Sequence, residues 1–208
     1  MNLENKTHWE QIYTTKNTTQ VSWYQAHAHL SMDFIRQTGV GKQGQIIDVG
    51  GGASTLVDDL LADGYEQVTV LDISAAALHT TRQRLGPLAH RVTWLEADIT
   101  QATLRPHFYD VWHDRAVFHF LTQAEDRARY VARVREAVRP GGHVIVATFA
   151  DDGPLQCSGL DVVRYNPEQL HAQFGPDFAL LQSSREAHQT PFGSVQKFIY
   201  CYCRIFQA

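Results

Sequence analysis

The chain reads as an α/β protein, a doubly wound and mostly parallel sheet covered by helices on both faces. The first of three observations is the stretch Gln45-Ile46-Ile47-Asp48-Val49-Gly50-Gly51-Gly52-Ala53-Ser54, an apolar run too short for a helix that stops at three glycines. A buried strand does this when it enters a tight turn where backbone must approach a ligand. The second is the alternation, from Gln45 onward, of strand-like runs with helical periods, the signature of βαβ units. The third is the tail, where two long strand patterns flank a short turn-rich segment. A chain of 208 residues fits one domain, 1–208, by the usual size relation.

Residues 1–40 form an N-terminal extension, amphipathic and rich in aromatics: Trp9, Tyr13, Trp23 and Tyr24, then the helical pattern Leu30, Phe34, Ile35. They predict two short helices joined by the polar turn Lys16 to Gln20 and folded over the sheet. The core, 45–208, opens with the Gln45 strand, and Ser54 is the expected N-cap of a helix over Thr55 to Asp63. Val68 to Asp72 and Arg91 to Glu96 predict the second and third strands, separated by a helix from Ser74 to Leu85. Phe108 to His113 predicts a fourth, Gln123 to Val138 a long helix, and His143 to Phe149 a fifth strand after the turn Arg139-Pro140-Gly141-Gly142. An aperiodic loop, Ala150 to Asn166, leads to a helix near Pro167 to Phe174. Strand patterns Phe178 to Glu186 and Ser194 to Ile205 then flank the hairpin loop His188 to Gly193.

Net charge is −4, from 18 basic and 22 acidic residues, and the four lysines do not cluster, so no field is present to hold nucleic acid. Cys157, Cys201 and Cys203 have no framework spacing and read as reduced structural thiols. Met1 to Lys6 has no apolar leader core, and no apolar run reaches membrane-spanning length, which predicts a soluble cytoplasmic protein without a membrane partner. Oligomeric state has no signal in the sequence.

These residues carry a resemblance. From Gln45 to the terminal hairpin the chain resembles the class I S-adenosylmethionine-dependent methyltransferases, and His8-Trp9-Glu10 with Ser22-Trp23-Tyr24-Gln25 looks like the N-terminal extension of some bacterial members. The family's first motif, D-x-G-x-G-x-G, is matched by Asp48, Gly50 and Gly52, with Gly51 between them and Ser54 in place of the last glycine. Asp72 matches the acidic residue at the end of the second strand, Asp98-Ile99 the pair after the third, and Asp114 the residue opening the segment after the fourth. The resemblance implies a Rossmann-like seven-stranded sheet of order 3-2-1-4-5-7-6 with the last strand antiparallel. It implies S-adenosyl-L-methionine as cofactor and S-adenosyl-L-homocysteine as product. It implies that Asp48 faces the cationic amino end and that Gly50 and Gly52 admit the methionine and ribose. Asp72 would accept the ribose hydroxyls, Ile73 and Ile99 would sandwich the adenine, and Asp98 would accept from its amine. A nicotinamide-binding turn is the competing reading of the glycines, but its third glycine would fall at Thr55.

The acceptor side is less legible. Segments at the same sheet edge supply the candidates: Asp114, Arg115 and His119 for catalysis, and Tyr24, Arg115, His119, Arg164, His188 and Phe192 for the acceptor. If Asp114 opens a helical turn, Arg115 and His119 share a face at i, i+4. His119 is the first candidate base because imidazole titrates near neutrality. Asp114 would orient acceptor or base, and Arg115 and Arg164 would clamp an anion. Trp9, Tyr13, Trp23 and Tyr24 would roof the pocket and offer ring faces to the sulfonium. Each has a plainer reading as well, His119 as a packed residue, Arg115 as a partner of some carboxylate and Arg164 as a turn cap. No paired carboxylates or His-x-x-x-His spacing fall at a strand end, so metal-independent transfer is expected. A small-molecule acceptor with O, N or S at the reacting centre is the leading expectation. A protein lysine methyltransferase is the alternative, and a non-catalytic binding module a third reading.

Overall fold

A computed structural model describes residues 3–206; Met1, Asn2, Gln207 and Ala208, which the leader and domain readings include, lie outside the described residues. The strands are β1 (Gln45–Val49), β2 (Gln67–Asp72), β3 (Val92–Glu96), β4 (Tyr109–Arg115), β5 (Val138–Phe149), β6 (Phe178–Gln189) and β7 (Val195–Ile205). They form one seven-stranded sheet of order β3-β2-β1-β4-β5-β7-β6. Only β7 runs against its neighbours, pairing antiparallel with both β5 and β6. The fold is therefore the Rossmann-like sheet that the sequence predicts.

Helices α1 (Leu3–Thr15), α2 (His29–Gln37), α3 (Leu56–Ala62), α4 (Ala75–Leu85), α5 (Ala124–Ala137) and α6 (Pro167–Ala172) complete the chain. Period-2 alternation in the strands divides the core between the two faces of the sheet. Ile46, Val68, Val70 and Val111 pack with Phe34, Leu56 and Leu60. On the other face Ile47, Val49 and Trp112 pack with Tyr130, Val134 and Leu170. No helix among the described residues is long and apolar enough to cross a membrane.

Local differences from the sequence reading have physical causes. Ser54 does not cap α3 from the N-cap position: Thr55 holds that place, and the Ser54 hydroxyl accepts from Leu56 N–H two residues on, at 3.1 Å. Arg139 to Gly142 is not a turn ahead of β5 but an irregularity within it, because the register jumps from Tyr109 opposite Val138 to Val111 opposite His143. The loop after β5 contains a small ladder of Gln156–Cys157 with Leu160–Asp161. Most consequential is β4, which continues two residues past His113 to Arg115. Strand alternation therefore still governs His113, Asp114 and Arg115, and between β4 and α5 the chain makes a 3-10 turn over Phe118–Phe120.

Candidate active site

The carboxyl ends of the parallel strands open into a cleft of ≈ 860 Å³. Its floor is Val49 and Gly50 after β1, Leu71 to Ile73 after β2, Ala97 to Ile99 after β3, and Arg115 to Val117 at the end of β4. Trp9 and Tyr13 of α1, with Trp23 and Phe120, close it from above. Edge-to-face ring contacts hold that roof together, Trp9 lying 5.1 Å from Phe120 and 5.8 Å from Trp23 between centroids. The helix is latched beside the cleft by Glu10, whose carboxylate accepts the N–H groups of Ala75 and Ala76 at the N-terminus of α4 at 2.6 and 3.1 Å. A second compartment continues past Gly50 and Arg115 to Tyr24, Asp48, Gly51, Ser54, Thr55 and His113.

Glycine is required in the turn between them. Gly50 has φ +71°, and a Cβ there would lie 2.0 Å from Val117 Cγ2. At Gly52 it would meet Asp72 Oδ2 at 2.5 Å and Ala77 Cβ at 2.6 Å. The closeness has a purpose within the fold: Gly52 N–H donates to Asp72 Oδ2 at 2.9 Å, and Ser74 N–H donates to Oδ1 at 2.8 Å. The carboxyl so held is 6% exposed, and burial raises it to a pKa of about 6 against the lowering effect of those two N–H groups. Asp98 lines the cleft while its Oδ1 accepts the N–H and hydroxyl of Thr100, the turn-forming arrangement expected of a loop Asp.

Two of the three residues read from the sequence as catalytic, Asp114 and His119, stand elsewhere. Alternation on β4 turns His113 toward α2 and Asp114 toward α5. Asp114 is fully buried, accepting from Val117 and Phe118 N–H and from Tyr130 Oη at 2.8, 3.1 and 2.6 Å, so it organises the β4–α5 connection behind the cleft wall. His119 is also fully buried, its ring 4.4 Å from Phe120 and 4.7 Å from Phe149, and Phe149 N–H donates to its Nδ1 at 3.3 Å. Burial, helped by the Arg115 charge, lowers its pKa to about 3. It therefore shares no helical face with Arg115 and does not reach the cleft as a base. His119→Ala is expected to cost about 2–4 kcal/mol through the cavity it leaves, with turnover per folded molecule unchanged. Urea denaturation alongside kinetics checks this, and a slower folded variant would return His119 to the mechanism.

Arg115 reaches both compartments, but as a strut. Its Nη2 and Nε bond Glu186 Oε2 at 3.0 and 3.3 Å, Nε also donates to Tyr200 Oη at 3.0 Å, and Nη1 donates to the Trp23 carbonyl at 3.3 Å. Its charge is thereby neutralised, contrary to the anion-clamp reading. Arg164 pins its own loop by donating to the Gly153 carbonyl at 3.0 Å, and His188 Nε2 bonds the Ser22 carbonyl at 2.8 Å. Phe192, 69% exposed, stands at the hairpin tip away from both compartments. Glu186, Ser31 and His113 went unread: the first two have no local pattern, whereas a histidine inside the apolar run Val111-Trp112-His113 was a usable signal.

Residues 46–142 match a family model described as a methyltransferase domain. That stretch, close to half of the chain, is similar to methyltransferase domains. The chain is 24% identical over 171 residues to the eEF1A lysine and N-terminal methyltransferase of Danio rerio, covering 81% of this chain and 24% of that relative. It is 30% identical over 123 residues to the ubiquinone biosynthesis O-methyltransferase of Alkalilimnicola ehrlichii, covering 58% of this chain and 48% of the other. The N-methyltransferase NodS of Bradyrhizobium japonicum, solved with S-adenosyl-L-homocysteine, superposes on this chain with a TM-score of 0.73 over 98% of this chain and 100% of that one. At 15% identity that likeness concerns the fold alone.

Proposed function

We propose that the protein transfers the methyl group of S-adenosylmethionine to a small-molecule acceptor without a metal ion. The observation that carries this reading is the pairing of two buried carboxylates at the two ends of one cleft. Asp72 faces the compartment with apolar Ile73 and Ile99, and Asp48 leaves Oδ2 buried with no protein partner in the other. A nucleoside joined to a cationic amino acid fits that arrangement. Asp72 has lone pairs beyond its two backbone bonds for a ribose diol, and Asp48 Oδ2 suits an ammonium. Ile73 and Ile99 would pack the adenine, with Asp98 accepting from its amine. When bound, the cofactor supplies a methyl group on an electrophilic sulfonium.

What the chain adds is alignment and exclusion of water. The faces of Trp9, Tyr13, Trp23 and Phe120 suit a cation and an acceptor of modest size. Three polar groups of the roof and wall are not free bases at neutral pH: burial raises the Tyr13 phenol and brings the Cys157 thiol to about 12, and Glu186 is held by Arg115. The acceptor therefore brings its own lone pair. Three buried free thiols, Cys157, Cys201 and Cys203, support a reducing compartment such as the cytoplasm.

The lysine methyltransferases among the relatives favour a second reading, an acceptor lysine held in the same aromatic box. Purified protein should be incubated with labelled S-adenosylmethionine and either a metabolite panel or lysine peptides and extract proteins, with and without EDTA, following S-adenosylhomocysteine. The expected result is product with a metabolite, insensitive to EDTA. Label confined to protein supports the second reading, and loss of activity with EDTA overturns metal independence.

A further inference from the structure

Asp48 has two different oxygens. Oδ1 lies 2.7 Å from His113 Nδ1, while Oδ2 is buried and unpartnered. The two residues sit opposite each other on adjacent parallel strands, with side chains on the face that α2 covers. His113 Nε2 in turn lies 2.9 Å from Ser31 Oγ of α2, which is 3.4 Å from Tyr200 Oη. All of these groups are nearly inaccessible: Ser31 is 1%, Asp48 2% and His113 2% exposed. A carboxylate only accepts, so Nδ1 carries the proton toward Asp48, while Nε2 and the Ser31 hydroxyl share the second hydrogen bond.

A buried carboxylate with one oxygen fastened and the other bare has its orientation set by what fastens it. We infer that His113 and Ser31 are positioning residues that aim Asp48 Oδ2 at the ammonium group of the cofactor's amino-acid tail. The inference rests on the cofactor reading above. It separates the two ends of the site: the His113–Ser31 pair governs recognition of the tail, and the nucleoside end is held by Asp72 independently. Charged neighbours do not replace the pair, since Arg115 is committed to Glu186 and Tyr200, and Glu186 takes further bonds from Gln25 Nε2 at 2.7 Å and Tyr200 Oη at 3.3 Å.

The test compares two ligands by isothermal titration: S-adenosylhomocysteine, which has the amino-acid tail, and 5′-methylthioadenosine, which lacks it. His113→Ala is expected to weaken the first about tenfold or more, as loss of a charge-assisted bond does, and to leave the second within about twofold of wild type. His113→Asn restores most of the loss, because its amide nitrogen stands where Nδ1 does and still donates to Oδ1; Ser31→Ala gives a smaller loss of the same selectivity. Equal weakening of both ligands in His113→Ala, without rescue by asparagine, shows a merely structural role and overturns the inference. So does an unchanged affinity for S-adenosylhomocysteine. Wild-type protein that binds neither ligand overturns the cofactor reading itself, and this inference with it.

Discussion

Replacing Asp72 with alanine is expected to weaken S-adenosylhomocysteine affinity by roughly tenfold or more, since hydrogen bonds to a charged acceptor contribute about 1.5–3 kcal/mol. The same change strips the acceptor from two buried donors, Gly52 N–H and Ser74 N–H. Each orphaned donor costs about 1–3 kcal/mol, so denaturation should report a destabilisation of several kcal/mol beside the binding loss. The two effects are separable by pH. Asp72 holds its proton up to about 6 in the fold, against 3.8 for an ordinary Asp, because burial penalises its charge. A protonated carboxyl is a poorer acceptor for two hydroxyls, so affinity should be flat above pH 7 and fall as pH drops below about 6. Stability runs the other way. Between 3.8 and about 6 the folded chain holds a proton that the unfolded chain has released, so this contribution is full below 3.8 and lost as pH rises through 6. Asp114, also raised to about 6 by burial, adds to the stability trend and not to the binding trend, because it lies behind the wall. Titration calorimetry from pH 5 to 8 on wild type and Asp72→Asn decides the matter. Wild-type affinity that ignores pH removes Asp72 from the ribose.

The glycine turn and the sheet were legible in the sequence because their determinants are local. Gln45 to Ser54 encodes a strand, a turn that excludes Cβ atoms and a helix entry within ten residues. Asp72 is legible for the same reason, standing at the end of the next strand. What failed was a boundary. Ending β4 at His113 made the next residues look like a loop, whereas extending the strand to Arg115 sends Asp114 into the α5 interface and leaves His119 in a buried 3-10 turn. One misplaced terminus therefore redirected two side chains. The partners that complete the site were beyond local reading altogether, because Arg115 and Glu186 are 71 residues apart and His113 and Ser31 are 82 apart. Trp9 and Tyr13, expected from the sequence to roof the pocket, line the cleft through rings that meet Trp23 and Phe120 edge to face.

Arg115→Ala should be among the most damaging single substitutions in the chain, and its damage should fall on stability. The Arg115 and Glu186 side chains are 9% and 14% exposed, so removing the guanidinium leaves a carboxylate nearly out of water with only Gln25 and Tyr200 as partners. Breaking such a pair from one side costs about 3–5 kcal/mol. Lysine is a poor substitute, because one ammonium cannot reach Glu186, Tyr200 and the Trp23 carbonyl from a single point while also replacing the guanidinium whose Cζ lies 4.1 Å from the centre of the Phe198 ring. Replacing both partners with apolar residues, Arg115→Met with Glu186→Leu, removes the orphaned charge and should recover most of the loss, although the tether from the terminal hairpin to the Trp23 segment goes with it. That tether holds one wall of the cleft, so the double variant should be stable yet bind S-adenosylhomocysteine less well. Chemical denaturation of the three variants tests the order. Undiminished stability in Arg115→Ala with only KM for the acceptor raised would mean that the guanidinium is free to meet substrate, and Arg115 would then be an anion clamp after all.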